Sequence, residues 1–175
     1  IVREVQTWDI LGGAFAATVR FTTTTQVVVV AGAIGAIVLW MLGDRRAAIV
    51  LAIAIVLLAI AQPLIKEIID RPRPTEELVD VRGSITSPSF PSGHVMSPTA
   101  VYGVLAVIAA THRSWPSAVR AVTVAGCTTL LAATSVVNVY LGVHWPTDIA
   151  GGLLWGAVVA FAAFGIARLT SRTLV

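Results

Sequence analysis

The chain has 175 residues, of which 57% are apolar and only 12% are charged, and its mean hydropathy is +0.88. A soluble domain carries about 25% charged residues, so this composition excludes an ordinary water-soluble fold and predicts one membrane domain over residues 1–175. The net charge of +3 does not indicate nucleic-acid binding, because the arginines lie between apolar segments rather than along one basic stripe.

Five apolar segments follow one another along the chain, and each is long enough to span or nearly span a bilayer. They cover residues 26–43, 47–65, 96–112, 117–139 and 149–168. None has a polar face of helical period, which is typical of helices buried in lipid or in a bundle. Residues 1–25 are expected to form an interfacial or partly inserted segment. The sequence therefore predicts an all-α integral-membrane bundle of about five to six transmembrane helices, with its helical core over residues 26–168. A sixth span, if there is one, would lie upstream of Ile1.

The connections predict which polar residues share a membrane face. Two short connections, 43–46 and 112–116, make the segments they join antiparallel. This up-and-down order brings Lys66, His94 and His144 to one face. The opposite face carries six arginines, namely Arg45, Arg46, Arg113, Arg120, Arg168 and Arg172. Because basic residues favour the cytoplasmic side, we expect the other face to be extracytoplasmic.

The first polar motif consists of Lys66, where the second segment ends, and Arg73 with Pro74. It begins a long connection that contains four prolines, and a loop of that length in a compact chain is usually functional or disordered. A guanidinium held beside a proline can bind two phosphate oxygens, and a lysine adds a point charge. A basic helix cap is the alternative interpretation.

The second motif, Pro91-Ser92-Gly93-His94, leads into the third segment. Gly93 allows an anion to approach the backbone closely, and the amides of a helix N-terminus point toward such an anion. The Ser92 hydroxyl can donate a hydrogen bond, and His94 can give a proton to a leaving alkoxide. The alternative is a simple turn followed by a helix cap.

The third motif pairs His144 with Asp148, and Pro146 between them is suited to the first position of a helix. A carboxylate four residues after the histidine can accept its imidazole N–H and fix the tautomer. The other ring nitrogen is then free to act as a nucleophile. Asp148 also suits the dipole of a helix N-terminus, so a structural role is the alternative.

Together the three motifs resemble the type-2 phosphatidic-acid phosphatases, or lipid phosphate phosphatases, which are related to vanadium haloperoxidases. That family's pattern is Lys-x6-Arg-Pro, then Pro-Ser-Gly-His, then Ser-Arg-x5-His-x3-Asp, and the resemblance covers roughly residues 26–168. It implies that His144 attacks phosphorus to form a phosphohistidine, that Asp148 orients His144, and that His94 protonates the leaving group. It also implies that the phosphoryl oxygens are held by Lys66, Arg73, Ser92 and the Gly93 amide.

The resemblance implies an enzyme without a metal or other cofactor, and the sequence has no cysteine cluster and no carboxylates at ligand spacing. The implied substrate is a lipid phosphate, either a polyprenyl diphosphate or a lipid of the phosphatidic-acid or phosphatidylglycerol-phosphate type. Its tail would stay in the bilayer, and the bilayer is expected to be the inner membrane of a bacterium. The sequence does not indicate an oligomeric state.

One position departs from the family pattern, because Val137-Asn138 stands where the family has Ser-Arg. We expect Asn138 to contact the phosphoryl group as a neutral ligand, and the lost charge-assisted contact is worth about 2–4 kcal/mol in the transition state. Arg71 and Arg82 in the long connection are candidates for a compensating cation. Two other interpretations stay open: a catalytically weakened carrier of phosphorylated lipids, and a lipid phosphotransferase.

Overall fold

The computed structural model describes residues 2–8, 12–83 and 85–173, with only the backbone for 171–173. These residues form seven α-helices and the segments that connect them. The helices are α1 (Val2–Val5), α2 (Gly13–Thr22), α3 (Thr25–Met41), α4 (Arg45–Ile69), α5 (Gly93–Thr111), α6 (Ser117–Tyr140) and α7 (Pro146–Thr173). These described ranges contain no β-strand, so the predicted all-α fold is confirmed.

Four of the described helices, α4 to α7, are long and apolar enough to cross a membrane. The first predicted span differs from the others. Its helix α3 has 17 residues, about 26 Å, which is less than the hydrocarbon thickness of about 30 Å. Together with α2, from which it is bent by 56°, it makes a fifth candidate span. A count of five, with the bent pair as one span, agrees with the lower end of the predicted five to six, and a count of four falls below it.

Large apolar side chains cover the outside of these helices. They include Ile34, Ile37, Val56, Ile60, Leu154 and Phe161, each more than half exposed. Helices that are apolar on their outer as well as their inner faces are solvated by lipid. The chain is therefore an integral membrane protein.

Helix α5 lies at the centre of the bundle and packs against α3, α4, α6 and α7. It begins at Gly93, three residues before the predicted segment, so that Pro98 lies inside the helix. Proline has no N–H, which leaves the carbonyl of His94 without its helical donor. The Thr134 hydroxyl of α6 lies 3.0 Å from this carbonyl oxygen and donates to it. The first turn of α5 is thereby fixed to α6.

Helices α5 and α7 approach each other through two glycines. A Cβ atom at Gly156 would lie 2.7 Å from the carbonyl oxygen of Met96, and one at Gly152 would lie 3.0 Å from that of Ser92. Small residues four apart allow two membrane helices to pack backbone against backbone. This contact sets the spacing between the N-terminal ends of α5 and α7.

A cavity of about 580 Å³ lies at the end of the bundle away from Lys66, and its wall includes Asp44, Arg46, His112 and Arg168. The Nε2 atom of His112 lies 2.7 Å from Oδ2 of Asp44. The structure thus has His112 and these arginines at the end away from Lys66, as the up-and-down order predicts.

We expect Gly156→Ala to lower the thermal stability of the protein in detergent by about 1–3 kcal/mol. The new methyl group would meet Thr99 Cβ at 2.5 Å and the Met96 carbonyl, neither of which is the free end of a flexible side chain. Gly165→Ala is the control on the same helix, since nothing lies within 4 Å of its Cβ position. Equal melting temperatures for the two variants would contradict this close contact.

Candidate active site

A cavity of about 410 Å³ opens at the end of the bundle where α4 ends and α5 begins. Five of the eight residues that the sequence proposes for the site line it: Lys66, Arg73, Gly93, His94 and His144. They come from α4, from the long loop 70–92, from the first turn of α5 and from the corner between α6 and α7. The remaining three, Asp148, Ser92 and Asn138, are fully buried behind the wall.

The His144 imidazole, only 1% exposed, lies between a carboxylate and a guanidinium. Its Nδ1 atom is 3.4 Å from Oδ2 of Asp148, and its Nε2 atom is 3.3 Å from Nη1 of Arg73. A carboxylate beside Nδ1 favours the tautomer with the proton on that nitrogen. The lone pair is then on Nε2, where it accepts from Arg73 on the cavity side.

Asp148 receives donors on both carboxylate oxygens. Oδ2 accepts the backbone N–H of Trp145 at 2.8 Å and the hydroxyl of Ser89, and Oδ1 accepts Nη1 of Arg71 at 2.9 Å. The Trp145 contact is the second half of a capping box, in which an N3 carboxylate reaches back to the residue before the helix. The catalytic and the helix-capping interpretations of Asp148 are therefore compatible in one side chain.

Arg73 and Lys66 hold the long loop over the His144 corner. The Nε atom of Arg73 donates to the carbonyl of Ser87 at 2.8 Å, and its Nη1 donates to that of Val143 at 2.6 Å. Its Nη2 lies 3.3 Å from the Pro88 carbonyl oxygen and from Ser87 Oγ, and Lys66 Nζ donates to the same Pro88 carbonyl at 2.6 Å. Each N–H group of Arg73 thus has an acceptor within reach among the protein's own groups.

Asn138 does not reach the cavity. Its Nδ2 donates to the carbonyl oxygen of Thr134 at 2.8 Å and to the Thr134 hydroxyl at 3.1 Å, one turn back along α6. Thr134 in turn contacts the His94 carbonyl, so Asn138 is connected to the first turn of α5 through Thr134. Its assignment as a phosphate ligand finds no support in this arrangement. The Ser92 hydroxyl is also buried, and within the described residues it has no hydrogen-bond partner.

The two arginines considered as compensating cations are already paired. Arg71 bonds to Asp148 and, at 2.6 Å, to the Thr147 hydroxyl. Arg82 is exposed, pairs with Asp80 at 2.7 Å, and has its Cζ atom 4.4 Å from the centroid of the Tyr140 ring. Neither of them lines the cavity.

Four polar residues near the site were missed by the sequence analysis. Thr25 and Gln62 line the cavity and form a hydrogen-bonded group with Ser97, with Thr25 Oγ1 and Gln62 Oε1 at 2.8 and 2.9 Å from Ser97 Oγ. Gln62 and Ser97 could have been identified from the sequence, because a polar residue inside an apolar segment marks a functional position. Ser89 had no such signal, since its contact with Asp148 depends on how the long loop folds.

The burial of the site shifts its titrating groups. Burial lowers the pKa of His144 below 6.5, the hydrogen bond that Asp148 accepts from the imidazole opposes this, and the nearby charge of Arg73 adds to the lowering. The imidazole is therefore neutral, as a nucleophile must be, over a wider range of pH. Within the described residues, no group of three or more His, Cys, Asp or Glu side chains is arranged to hold a metal ion.

The lowered pKa of His144 predicts a loss of stability in acid. Below pH 6.5 the unfolded chain binds a proton that the folded site resists, so this contribution to the free energy of unfolding falls as the pH falls. We expect the melting temperature in detergent to drop less between pH 7.5 and 5.5 for His144→Gln than for the unsubstituted chain. An equal drop in both would show that His144 is not held in its neutral form.

The PAP2 superfamily model matches residues 47–171. Phosphatidylglycerophosphatase B of Bacillus subtilis (strain 168) is 36% identical over 111 residues, which are 62% of this chain and 52% of that protein. A putative undecaprenyl-diphosphatase of Escherichia coli (strain K12) is 29% identical over 133 residues, 73% of this chain and 62% of that protein. The chain thus spans between half and two thirds of the length of these relatives.

A solved structure has the same fold. It is the crystal structure described as that of the first transmembrane PAP2 type phosphatidylglycerolphosphate phosphatase from Bacillus subtilis. The TM-score is 0.79 at 20% sequence identity, and the match covers 95% of this chain and 83% of the other.

Proposed function

The chain belongs to the PAP2 superfamily, and from this membership and the geometry of the cavity we propose that it is a membrane phosphatase that hydrolyses the phosphate or diphosphate headgroup of a lipid. The observation that carries the proposal is the His144 imidazole, with Asp148 at Nδ1 and Nε2 directed to a cavity that also contains Lys66, Arg73 and His94. A nucleophile, an acid and cations in one cavity are what phosphoryl transfer requires.

The wall of the cavity supports a lipid substrate. Thr24–Gln26 of α3 and Leu58, Ala59 and Pro63 of α4 line it. Ala59 and Pro63 are exposed on the outer surface of α4, so the cavity reaches the side of the bundle that faces the bilayer. A tail can therefore remain among lipids while its headgroup enters between α3 and α4. The relatives' names give two candidate classes, phosphatidylglycerol phosphate and undecaprenyl diphosphate.

In the first step, the phosphoryl group enters between Arg73 and His144 and takes over the N–H donors of Arg73. This frees the Nε2 lone pair, which attacks phosphorus, so that an N–P bond forms and the bond to the leaving oxygen breaks. His94 gives its proton to that oxygen. Asp148 stabilises the positive charge that develops on the imidazole through Nδ1–H.

In the second step, water resolves the phosphohistidine. His94, now neutral, takes a proton from the water molecule while the water oxygen attacks phosphorus. The N–P bond breaks, its electron pair returns to Nε2, and inorganic phosphate leaves. No step in this sequence requires a metal ion, and the proposed hydrolysis is metal-independent.

We assign the protein to the inner membrane of a bacterium, with the cavity on the extracytoplasmic side. Support comes from the opposite end of the bundle, where Arg45, Arg46, Arg113 and Arg120 lie in or beside short connections. Basic residues in such connections favour the cytoplasmic side.

His144→Ala should abolish phosphate release by the purified protein in detergent, with a fall of at least about 10³-fold, because the nucleophile is lost. Release from phosphatidylglycerol phosphate, undecaprenyl diphosphate and phosphatidic acid would be measured with and without a metal chelator. We expect the unsubstituted chain to act on at least one of them in both conditions. His112→Ala is the matched control, since that imidazole binds Asp44 at the other end of the bundle.

Each other outcome has its own meaning. Binding of a lipid phosphate without release would favour a carrier, and release that depends on a second acceptor would favour a phosphotransferase. Loss of release in chelator would contradict the metal-independent mechanism.

The covalent intermediate can be tested separately. After a rapid alkaline quench, protein incubated with lipid carrying a ³²P-labelled terminal phosphate should retain a label that is stable in base and released in acid, as expected for a phosphorus–nitrogen bond. His144→Ala should retain none. A label that survives in this variant would assign the nucleophile to another residue.

A further inference from the structure

Arg20, in the last turn of α2, has no role in the arrangement described so far. Its side chain is partly buried, yet it has no hydrogen-bond or ion-pair partner among the described residues. A cation removed from water without a partner is costly, so such a group is expected to meet an anion. The neighbouring arginines of this end differ, because Arg71, Arg73 and Arg82 all have acceptors.

The guanidinium of Arg20 lies beside the His144 corner. Its Nη1 and Cζ atoms are 2.8 and 3.7 Å from the point that a Cβ on Gly83 would occupy, and Val143 Cγ1 is 3.5 Å from that point. Val143 directly precedes His144. Residues 24–26, which follow the end of α2, line the cavity. Arg20 does not itself line this cavity but a neighbouring pocket, together with Ala16, Arg82 and Tyr140. Its guanidinium thus lies near the cavity, between α2 and the long loop.

The charge of Arg20 acts on the site. Burial is the main cause that lowers the pKa of Arg73; Asp148 opposes it, and the positive charge of Arg20 adds to it. Of the charged side chains, Arg20 also exerts the largest electrostatic effect on the His94 imidazole. Two guanidinium groups that repel each other at this end of the bundle would both be stabilised by a bound phosphate.

Helix α2 packs against the part of α6 that contains Asn138, where α6 carries no cation. Val19 and Val137 belong to one buried cluster, so Arg20 and Asn138 each directly follow a residue of this α2–α6 contact. Position 138 is where the family pattern has arginine. Here the Asn138 amide is bonded to Thr134 instead.

We propose that Arg20 is a phosphate-binding residue, whose guanidinium reaches the phosphoryl oxygens from α2 in place of the cation that α6 lacks at position 138. The inference rests on the proposed function and extends it by one residue outside the three motifs. Because Arg73 is engaged by the carbonyls of Ser87 and Val143, Arg20 is, among the described residues of this end, an arginine whose donors are not already taken.

The first test compares Arg20→Gln and Arg20→Lys with the unsubstituted chain, using phosphatidylglycerol phosphate in detergent micelles. We expect Arg20→Gln to lower kcat/KM about 10²-fold, as for loss of one transition-state donor, and Arg20→Lys to retain more activity than Arg20→Gln. The inhibition constant of inorganic phosphate, which has no lipid tail, should rise about tenfold in Arg20→Gln.

Arg82→Gln is the matched control, because Arg82 lies at the same end of the bundle but is exposed and paired with Asp80. Its kcat/KM and its inhibition constant for inorganic phosphate should stay within about twofold of the unsubstituted values. An equal loss in Arg82→Gln would mean that general positive charge, rather than Arg20, is responsible, and would overturn the proposal.

Gly83→Ala provides a test that leaves Arg20 in the chain. The new methyl group would lie 2.8 Å from Nη1 of Arg20, the flexible end of a side chain, so the guanidinium must move. We expect this variant to fold normally and to lose part of the phosphate affinity. The same substitution in an Arg20→Gln background should have no further effect, and additive effects would contradict the contact.

The test separates this inference from the proposed function. Stabilisation by inorganic phosphate, measured as a rise in melting temperature, needs no turnover and should be lost in Arg20→Gln. If no lipid is hydrolysed yet this Arg20-dependent rise is seen, the proposed function fails and the inference stands. If lipid is hydrolysed, and Arg20→Gln matches the unsubstituted chain in kcat/KM and phosphate inhibition, the inference fails alone.

Discussion

The buried carboxylate of Asp148 is the group on which the rest of the site depends. A fully buried charge is tolerated only when it is surrounded by donors, and here they come from the loop through Arg71 and Ser89 and from the helix start through Trp145. The same carboxylate faces Nδ1 of His144. Satisfying one charge therefore closes the loop, starts α7 and orients the imidazole, which links folding of the cavity to its chemistry.

A second set of contacts uses backbone carbonyls in place of side chains. Arg73 and Lys66 bind the carbonyl oxygens of Ser87 and Pro88 in the loop, and the Thr134 hydroxyl binds the carbonyl that Pro98 leaves free. These contacts do not depend on which side chain the residue that supplies the carbonyl carries. The cations can therefore keep their positions at the cavity when such a side chain is changed.

The sequence was sufficient for the features that depend on local pattern. Apolar runs predicted the helices, Pro146 marked the first residue of α7, and the short connections brought Lys66, His94 and His144 to one end. It was insufficient where a contact joins distant segments. Asn138 was interpreted from its position in a motif, yet its amide forms hydrogen bonds within α6. Arg20 lies far before His144 in the sequence, in a segment that was predicted only to be interfacial or partly inserted. No spacing rule connects such residues, because the bend between α2 and α3 and the path of the loop bring them near each other.

The close contact between α5 and α7 has a consequence for how this protein can evolve. His94 opens α5 and His144 directly precedes α7, and at Gly152 and Gly156 these helices meet backbone to backbone. Exchange of side chains elsewhere cannot readily alter the separation of the two histidines. Under the proposed function, a change of substrate would therefore be accommodated at the α3–α4 wall, where Gln26, Ala59 and Gln62 line the same cavity. The distance between the two histidines would stay fixed while the wall beside the bilayer changes.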